Sequence, residues 1–492
     1  MEPGAAPAEV RETHVSVLFF VGDRVYKLKK PVHMDFLDFS TRAARERVCR
    51  RELELNRRLA PDVYLDVLDV VGSDGQPLDH LVVMRRMPEE RRLARLAAGG
   101  AGDECVRDVA RAIAAFHARA DTSGEIAAHG AVGQVRANWE SSFATMQPFV
   151  GTVLDADVAR EVAAEARRYL DGRTRLFAHR IELGKVRDGH GDLLADDIFC
   201  LDDGPRILDC IEFDDHLRYG DVLADVAFLA MDLERVAGPA TGARFLGWYR
   251  EFAGETYPDT LAHHYIAYRA HVRAKVACLR SAQGDPAAVE SARRLLALAR
   301  DHLLRGRVDL ALVGGLPGTG KTTLAARVAE RLGWTLLRSD EVRKDLVGLG
   351  HTARAASAYR EGIYGDDVTA RTYHELLVRA RSLLELGVPT IIDASWADAR
   401  WREQAADVAR QTGSRLVELR CELDERIAAG RLSRRARAAR DASDADATVA
   451  ARMAGEFDAW PSATTITTAT RRDRVFARAL AAVGRPGARG AP

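Results

Sequence analysis

Two short stretches of this chain carry residue types suited to handling phosphate groups. The stretch GLPGTGKTT follows an apolar run, VDLALVG, and precedes a helical pattern, TLAARVAERLG. Its spacing is GxxxxGK[ST], in which glycines let backbone N–H groups converge on phosphate oxygens while the following helix start adds partial positive charge. This strand–loop–helix context predicts a nucleotide-binding loop with ATP and Mg²⁺ as cofactors, in which the lysine reaches the β- and γ-phosphates and the first threonine ligates Mg²⁺. The predicted contacts are Gly315, Leu316, Pro317, Gly318, Thr319, Gly320, Lys321, Thr322 and Thr323.

Charged residues downstream of this loop could act on the acceptor of a phosphoryl group. The apolar run VPTIIDASW carries Asp393 at its end, where a second carboxylate on the metal side belongs. In LLRSDEVRKDL, Asp340 and Arg343 are three residues apart and would share one face of a helix. A carboxylate there could accept a proton from an acceptor hydroxyl, and Arg343 or Lys344 could hold an anionic part of the acceptor.

The arginine-rich segment RLSRRARAARDASDAD has two interpretations. It could be an ordinary solvated helix, or a mobile lid that delivers an arginine to the transferring phosphate and excludes water. Arg431, Arg434 and Arg435 are the candidates for such an arginine, and the sequence does not choose among them.

The other stretch of interest, DGHGDLLADDIFC, lies more than a hundred residues earlier. Its strand-like end is followed by a turn, DDGPR, and by a second apolar strand, ILDCIEF. Such a hairpin would carry Asp192, Asp197 and Glu212 at or near its strand ends, and three carboxylates suit a divalent metal that prefers oxygen ligands. Asp192 could also orient an acceptor hydroxyl as a base. An acidic hairpin on the surface is the alternative.

The elements that must position these residues follow from hydrophobic periodicity. Residues 14–30 read as two strands joined at Gly22-Asp23, and residues 41–59 as an amphipathic helix. Two further strands follow in VYLDVLDVVG and HLVVMRRM, helices dominate from about 103 to 180, and a long helix precedes residue 308. From VDLALVG onward, strand, loop and helix alternate, which is typical of a parallel α/β domain. We therefore expect domains over 1–306 and 307–484, with a disordered tail over 485–492.

Composition limits the possible classes of protein. Lys plus Arg and Asp plus Glu both number 72 in the 492 residues, and this zero net charge argues against a nucleic-acid or membrane partner. The N-terminus has neither the basic start nor the apolar core of a signal peptide, and the six cysteines show no CxxC spacing. We expect a cytoplasmic protein with reduced, packed thiols. Only seven of the basic residues are lysines, and six of these fall in or beside the motifs.

The C-terminal motifs GLPGTGKTTLA, RSDEVRK, IIDAS and RDASDAD resemble those of small P-loop kinases of the gluconate kinase and polynucleotide kinase type. The resemblance covers about residues 308–470. It implies that Asp340 is the general base, that Arg343 lies on the substrate side, and that Lys321 and Thr322 contact ATP and Mg²⁺.

The N-terminal motifs HGDLLADD, RVYKLKK, RRELELNRRL, LVVMRRM and YGDVLADVAFLAMDL resemble the aminoglycoside phosphotransferases and the wider eukaryotic-like kinase family, over roughly 12–300. The resemblance implies that Lys27, with Lys29 as second choice, is the nucleotide lysine and that Glu52 is its helix partner. It departs from the family pattern where Asp197 replaces an asparagine, Glu212 replaces the metal aspartate and Leu194 replaces a histidine. The whole chain is similar to bacterial fusions of the two kinds of domain.

These patterns predict a fold of the α/β plus α+β class, in which a two-lobed protein-kinase-like domain precedes a P-loop domain with a parallel sheet flanked by helices. The leading functional hypothesis is a phosphotransferase that moves the ATP γ-phosphate to a hydroxyl of a small molecule. The alternative is a nucleotide-binding regulatory protein in which one or both domains bind ATP without transferring phosphate. The identity of the acceptor, the protein partners and the oligomeric state are not encoded in any motif.

Overall fold

The strands and helices come from a computed structural model that describes residues 9–13, 15–34, 37–100, 102–350, 362–438 and 447–484. The strands are β1 (Glu9–Glu12), β2 (Ser16–Val21), β3 (Arg24–Lys29), β4 (His33–Met34), β5 (Leu37–Asp38), β6 (Tyr64–Val71), β7 (Pro77–Arg85), β8 (Val186–Asp188), β9 (Ile198–Leu201), β10 (Gly204–Ile207), β11 (Tyr219–Asp221), β12 (Asp309–Gly314), β13 (Thr335–Arg338), β14 (Thr390–Asp393), β15 (Arg415–Glu422) and β16 (Thr464–Thr467). The helices are α1 (Arg42–Asn56), α2 (Leu93–Ala98), α3 (Asp103–Arg119), α4 (Gly124–Ala128), α5 (Val132–Met146), α6 (Ala156–Asp171), α7 (Thr174–Glu182), α8 (Val222–Ala237), α9 (Pro239–Ala253), α10 (Asp259–Ala282), α11 (Ala287–Arg305), α12 (Lys321–Leu332), α13 (Ser339–Leu346), α14 (Asp366–Glu385), α15 (Ala399–Gln411), α16 (Glu425–Ala438), α17 (Ala447–Gly455) and α18 (Arg472–Val483).

The chain folds into two compact units. The first runs to Ser142 and also includes Ala178–Tyr257 and Tyr265–Leu295. The second includes Phe143–Phe177, Pro258–His264 and the chain from Leu296 onward. Among the helices in the described part of the chain, none is long and apolar enough to cross a membrane.

The first unit begins with an antiparallel sheet of five strands in the order β1-β2-β3-β7-β6. The predicted turn at Gly22-Asp23 joins β2 to β3, and Gly22 adopts the positive φ of 58° that a tight turn requires. Helix α1 starts where the Thr41 hydroxyl accepts a hydrogen bond from the Ala44 amide, and it buries Glu52. The sheet and α1 form the smaller lobe.

The larger lobe of this unit is helical. Its central helix, α8, is buried over most of its length because its sequence, VLADVAFLAMDLERVA, is apolar on nearly every side. It contains two short antiparallel strand pairs, β8 with β11 and β9 with β10. The loop with Asp192 follows β8, and the turn with Asp209 follows β10. The predicted strand ILDCIEF is wrong beyond its first residue, because β10 ends at Ile207 and Asp209 turns the chain with a φ of 63°.

The second unit contains the predicted parallel sheet. Its strand order is β13-β14-β12-β15-β16, and each neighbouring pair runs parallel. All six residues of β12 are buried, since it is the central strand and is covered on both faces. Carboxyl ends of parallel strands meet at one edge of a sheet, so the residues following β12 and β14 are brought together there.

The expectation of six reduced thiols is wrong for two of them. The Sγ atoms of Cys105 on α3 and Cys200 on β9 are joined in a disulfide, and the other four cysteines are buried and free. The two partners are 95 residues apart, so only the tertiary fold brings them together.

Two candidate phosphate sites

The loop between β12 and α12 has the conformation of a phosphate-binding loop. Gly315 has a φ of 136°, and a Cβ added there would lie 2.4 Å from the carbonyl oxygen of Cys421. Gly320 caps α12 with a φ of 93°, in the left-handed region that favours glycine. Lys321 and Thr322 open the helix, which directs its first amide groups toward the loop.

Asp393 lies beside this loop. It is the last residue of β14 and lies in register with Val313 of β12. Burial raises the pKa of Asp393 while the charge of Lys321 and a hydrogen bond with Thr322 act in the opposite direction. Its Oδ1 atom is buried and has no hydrogen-bond partner among the described residues. A divalent cation held by Thr322 and Asp393 would satisfy this oxygen, so the residues fit Mg²⁺.

The two predicted acceptor-side residues stand on α13. Asp340 is half-buried and close enough to Asp393 for its charge to raise the pKa of that carboxyl. Arg343 is buried, and its Nη1 donates hydrogen bonds to the Ile363 carbonyl and the Thr369 hydroxyl, both at 3.0 Å. Its guanidinium also lies 5.0 Å from the centroid of the Tyr364 ring. The Nε of Arg343 is buried without a hydrogen-bond partner in the described chain.

Of the three lid candidates, Arg431 reaches the phosphate loop. Its Nη2 donates to the Thr468 carbonyl at 3.0 Å, and its Nη1 would lie 3.3 Å from a Cβ placed on Gly320. Arg434 is exposed on the same helix. The side chain of Arg435 and the motif RDASDAD lie outside the described residues.

The first unit brings the predicted lysine and glutamate together. The Lys27 Nζ atom lies 2.8 Å from Glu52 Oε1 and 2.9 Å from Asp209 Oδ1. The charge of Lys27 lowers the pKa of Asp209 to about 2. Lys29 is fully buried and pairs with Glu52 Oε2 at 2.6 Å. Glu52 therefore serves both lysines, and Lys27 has the more open position of the two.

The structure does not gather Glu212 with Asp192 and Asp197, although all three are proposed metal ligands. Glu212 instead forms a buried ion pair with Lys29. Asp209, rather than Glu212, is the carboxylate whose charge raises the pKa values of both Asp192 and Asp197. Asp209 is an acidic residue directly after the apolar pair Ile207-Leu208, which is the pattern that could have identified it, whereas a continuous strand favours Glu212.

The loop carrying Asp192 is held in place by hydrogen bonds to Asp225 of α8. Asp225 accepts hydrogen bonds from the backbone amides of His190 and Gly191 at 2.8 and 2.9 Å. Burial raises the pKa of Asp192 to about 6, and burial followed by the charge of Asp209 raises that of Asp197 well above its ordinary value. Crowded carboxylates of this kind suit a cation that prefers oxygen ligands.

In the described chain no group of three or more His, Cys, Asp or Glu side chains is gathered closely enough to hold a metal ion. A cation at Asp197 and Asp209 would therefore need further oxygens, such as those of a nucleotide. The carboxylates of Asp197 and Asp209 would offer such a cation only oxygen ligands, which are the ligands that Mg²⁺ prefers.

The uncharacterized protein Rv2004c of Mycobacterium tuberculosis (strain H37Rv) is 42% identical to this chain over 472 residues, which cover 96% of this chain and 94% of the relative. The uncharacterized protein Mb2027c of Mycobacterium bovis matches with the same identity and coverage. The chain belongs to this family.

The match to these family members spans both units, and a family model described as an AAA domain matches residues 310–460. Among solved structures, a sugar kinase from Janibacter sp. HTCC2649 covers 38% of this chain and 99% of its own, at 18% identity and a TM-score of 0.29. A choline/ethanolamine kinase family protein from Mesorhizobium loti covers 61% and 91%, at 16% identity and a TM-score of 0.39. The predicted fold, a two-lobed kinase-like domain and a P-loop domain, is confirmed by the strand orders described above.

Proposed function

We propose that this protein is an ATP- and Mg²⁺-dependent phosphotransferase whose P-loop unit phosphorylates a hydroxyl of a small anionic molecule. The Oδ1 atom of Asp393, which is buried and has no hydrogen-bond partner among the described residues, carries the proposal. A carboxylate oxygen of this kind beside Lys321 and Thr322 of a phosphate loop calls for a cation. The AAA-domain match over residues 310–460 supports nucleotide binding by the same unit.

Each side chain then has one task. Glycine-lined backbone amides and Lys321 would hold the phosphates, and Thr322 with Asp393 would hold Mg²⁺, which neutralises charge on the transferring group. Asp340 would accept the proton of the acceptor hydroxyl. Arg431 would add positive charge from the lid side, since it already lies beside Gly320.

Arg343 supports an anionic acceptor. Its guanidinium is buried and donates to Ile363 and Thr369, while Nε has no hydrogen-bond partner within the described part of the chain. A buried cation without a carboxylate partner is costly, and a carboxylate or phosphate on the substrate would offset that cost. The acceptor would therefore carry an anionic group near its reacting hydroxyl.

The first unit supports a second candidate function, nucleotide binding with a regulatory outcome. Lys27 is engaged by both Glu52 and Asp209. Asp197 adds a carboxyl at the position that is an asparagine in the kinase pattern this loop resembles. This extra carboxyl would face the phosphates of a bound nucleotide and disfavour it unless a cation intervenes. Transfer from this site, with Asp192 as base, is the competing enzymatic version.

The test is ATP consumption against a panel of hydroxyl compounds with and without carboxylate or phosphate groups. We expect turnover with anionic acceptors that falls by orders of magnitude in Lys321→Ala and Asp340→Asn. Turnover should stay unchanged in Arg331→Ala, an exposed control on α12. Unchanged turnover in both active-site variants would remove the P-loop unit as the catalytic site. Loss in Asp192→Asn alone would transfer the chemistry to the first unit.

Arg343→Gln tests the acceptor class separately. We expect the KM for anionic acceptors to rise at least tenfold while turnover of neutral acceptors is little changed, since one charge-assisted hydrogen bond is lost. Equal effects on both acceptor types would contradict the assignment of an anionic substrate.

A further inference from the structure

Asp209 has a backbone conformation that needs an explanation. Its φ of 63° lies in the left-handed region, and among the described non-glycine residues only Trp396 shares a positive φ. Residues other than glycine occupy this region at a cost in free energy and persist there when their surroundings hold them. The backbone at Asp209 must therefore be fixed by neighbouring groups.

Two buried side chains of the smaller lobe supply that restraint. The amide of Asp209 donates to the Tyr64 hydroxyl at 3.2 Å, and the next amide, that of Cys210, donates to Asn56 Oδ1 at 2.9 Å. Tyr64 and Asn56 are 0% and 1% exposed. Two consecutive backbone donors are thus satisfied by side chains rather than by a strand, which keeps the chain turned at Asp209.

Asn56 also connects this turn to the helix of Glu52. Its Nδ2 donates to the Glu52 carbonyl oxygen at 2.9 Å, one turn earlier on α1. Arg58 extends the connection, because its guanidinium donates to the carbonyl of Gly189 at 2.9 Å and to Cys210 Sγ at 3.2 Å. The segment 56–64 therefore touches the helix of Glu52, the loop of Asp192 and the turn of Asp209.

We propose that Tyr64 and Asn56 are positioning residues that aim the Asp209 carboxylate at a nucleotide-bound divalent cation in the first unit. The inference rests on the proposed binding of a metal–nucleotide complex by that unit. Tyr64 and Asn56 touch neither cation nor nucleotide; they set the direction in which Asp209 leaves the backbone and tie it to the Lys27–Glu52 pair.

The alternative is that both residues serve only to pack the lobe, since Tyr64 belongs to a core cluster with Val82 and Phe199. The two roles differ in one measurable quantity. A packing role would change stability and all ligand affinities together, whereas a positioning role would change the part of the nucleotide affinity that depends on the metal.

The experiment is isothermal titration of the full chain carrying Lys321→Ala and Asp393→Asn, which silence the P-loop site. The ligand is a non-hydrolysable ATP analogue, added with Mn²⁺ or with EDTA, and the ratio of the two affinities is the metal-dependent part. We expect Tyr64→Phe and Asn56→Ala each to reduce this ratio roughly fivefold to tenfold, with the affinity in EDTA little changed. Tyr26→Phe, on the opposite face of β3 from Lys27, is the matched control.

The outcomes separate the two levels of the proposal. If Asp209→Asn removes the metal dependence and neither Tyr64→Phe nor Asn56→Ala alters it, the positioning role is refuted while the metal site stands. If both affinities and the thermal midpoint fall together in the two variants, the residues only pack the lobe. If the silenced chain shows no metal-dependent affinity at all, the proposed site in the first unit fails, and the positioning role fails with it.

Discussion

Breaking the disulfide between Cys105 and Cys200 should lower the free energy of unfolding by an amount that follows from chain topology. The two residues are 95 apart in sequence. In the chain-entropy model, closing a loop of this length raises the free energy of the unfolded state by about 4.7 kcal/mol at room temperature, because it lowers that state's entropy. Measured contributions of disulfides are typically about 2–4 kcal/mol. We expect Cys105→Ser to lose about 3 kcal/mol in the absence of reductant.

The assay is urea denaturation followed by circular dichroism, with and without a reducing agent. With a urea m-value of roughly 2–3 kcal/mol/M, the expected loss lowers the midpoint by about 1 M. The reduced wild type should unfold at nearly the same urea concentration as Cys105→Ser, and reductant should not affect the variant. A wild-type midpoint that is insensitive to reductant and equal to that of the variant would refute the reasoning.

Three further predictions concern the two sites and their support. Burial raises the pKa of Asp192 to about 6, and a general base must be deprotonated to act. With the P-loop site silenced, the rate of any residual transfer that uses Asp192 as base should therefore increase as the pH rises through about 6. A pH–rate profile that is flat between about pH 5 and 7 would contradict this. Arg431→Ala should reduce turnover at least tenfold more than Arg434→Ala, as steady-state kinetics can measure, because only Arg431 lies beside the phosphate loop. Arg180 and Asp221 form a buried ion pair at 2.7 Å. Arg180→Met should destabilise the first unit by roughly 3–5 kcal/mol in denaturation experiments, since it leaves the buried carboxylate without this partner, whereas a loss under about 1 kcal/mol would show that the ion pair is dispensable.

Features that depend on consecutive residues were predictable from the sequence. The phosphate loop is one, because its glycines, lysine and threonine form a consecutive pattern that identifies the turn from β12 into α12. The β2–β3 turn at Gly22-Asp23 is another. In both cases the residues that identify the element are neighbours in the chain.

Features that depend on tertiary contacts were not predictable in the same way. Periodicity favoured a continuous strand through ILDCIEF, but Tyr64 and Asn56 hold the backbone at Asp209 in a turn. Whether Asp209 or Glu212 faces Asp192 depends on that turn and on the buried Lys29, which binds Glu212. The disulfide likewise depends on the placement of α3 against β9.

The contacts of Lys27 in the first unit explain why a lysine, rather than the arginine common elsewhere in this chain, stands at this position. Lys27 bridges carboxylates from two separate elements, Glu52 on α1 and Asp209 beyond β10, at 2.8 and 2.9 Å. An ammonium group can direct its three donors to separate acceptors, whereas a planar guanidinium favours two parallel bonds to one carboxylate. Arginine at position 27 would therefore bind one partner well and leave the other uncompensated. At position 27, one compact ammonium group thus joins two acidic side chains from separate elements.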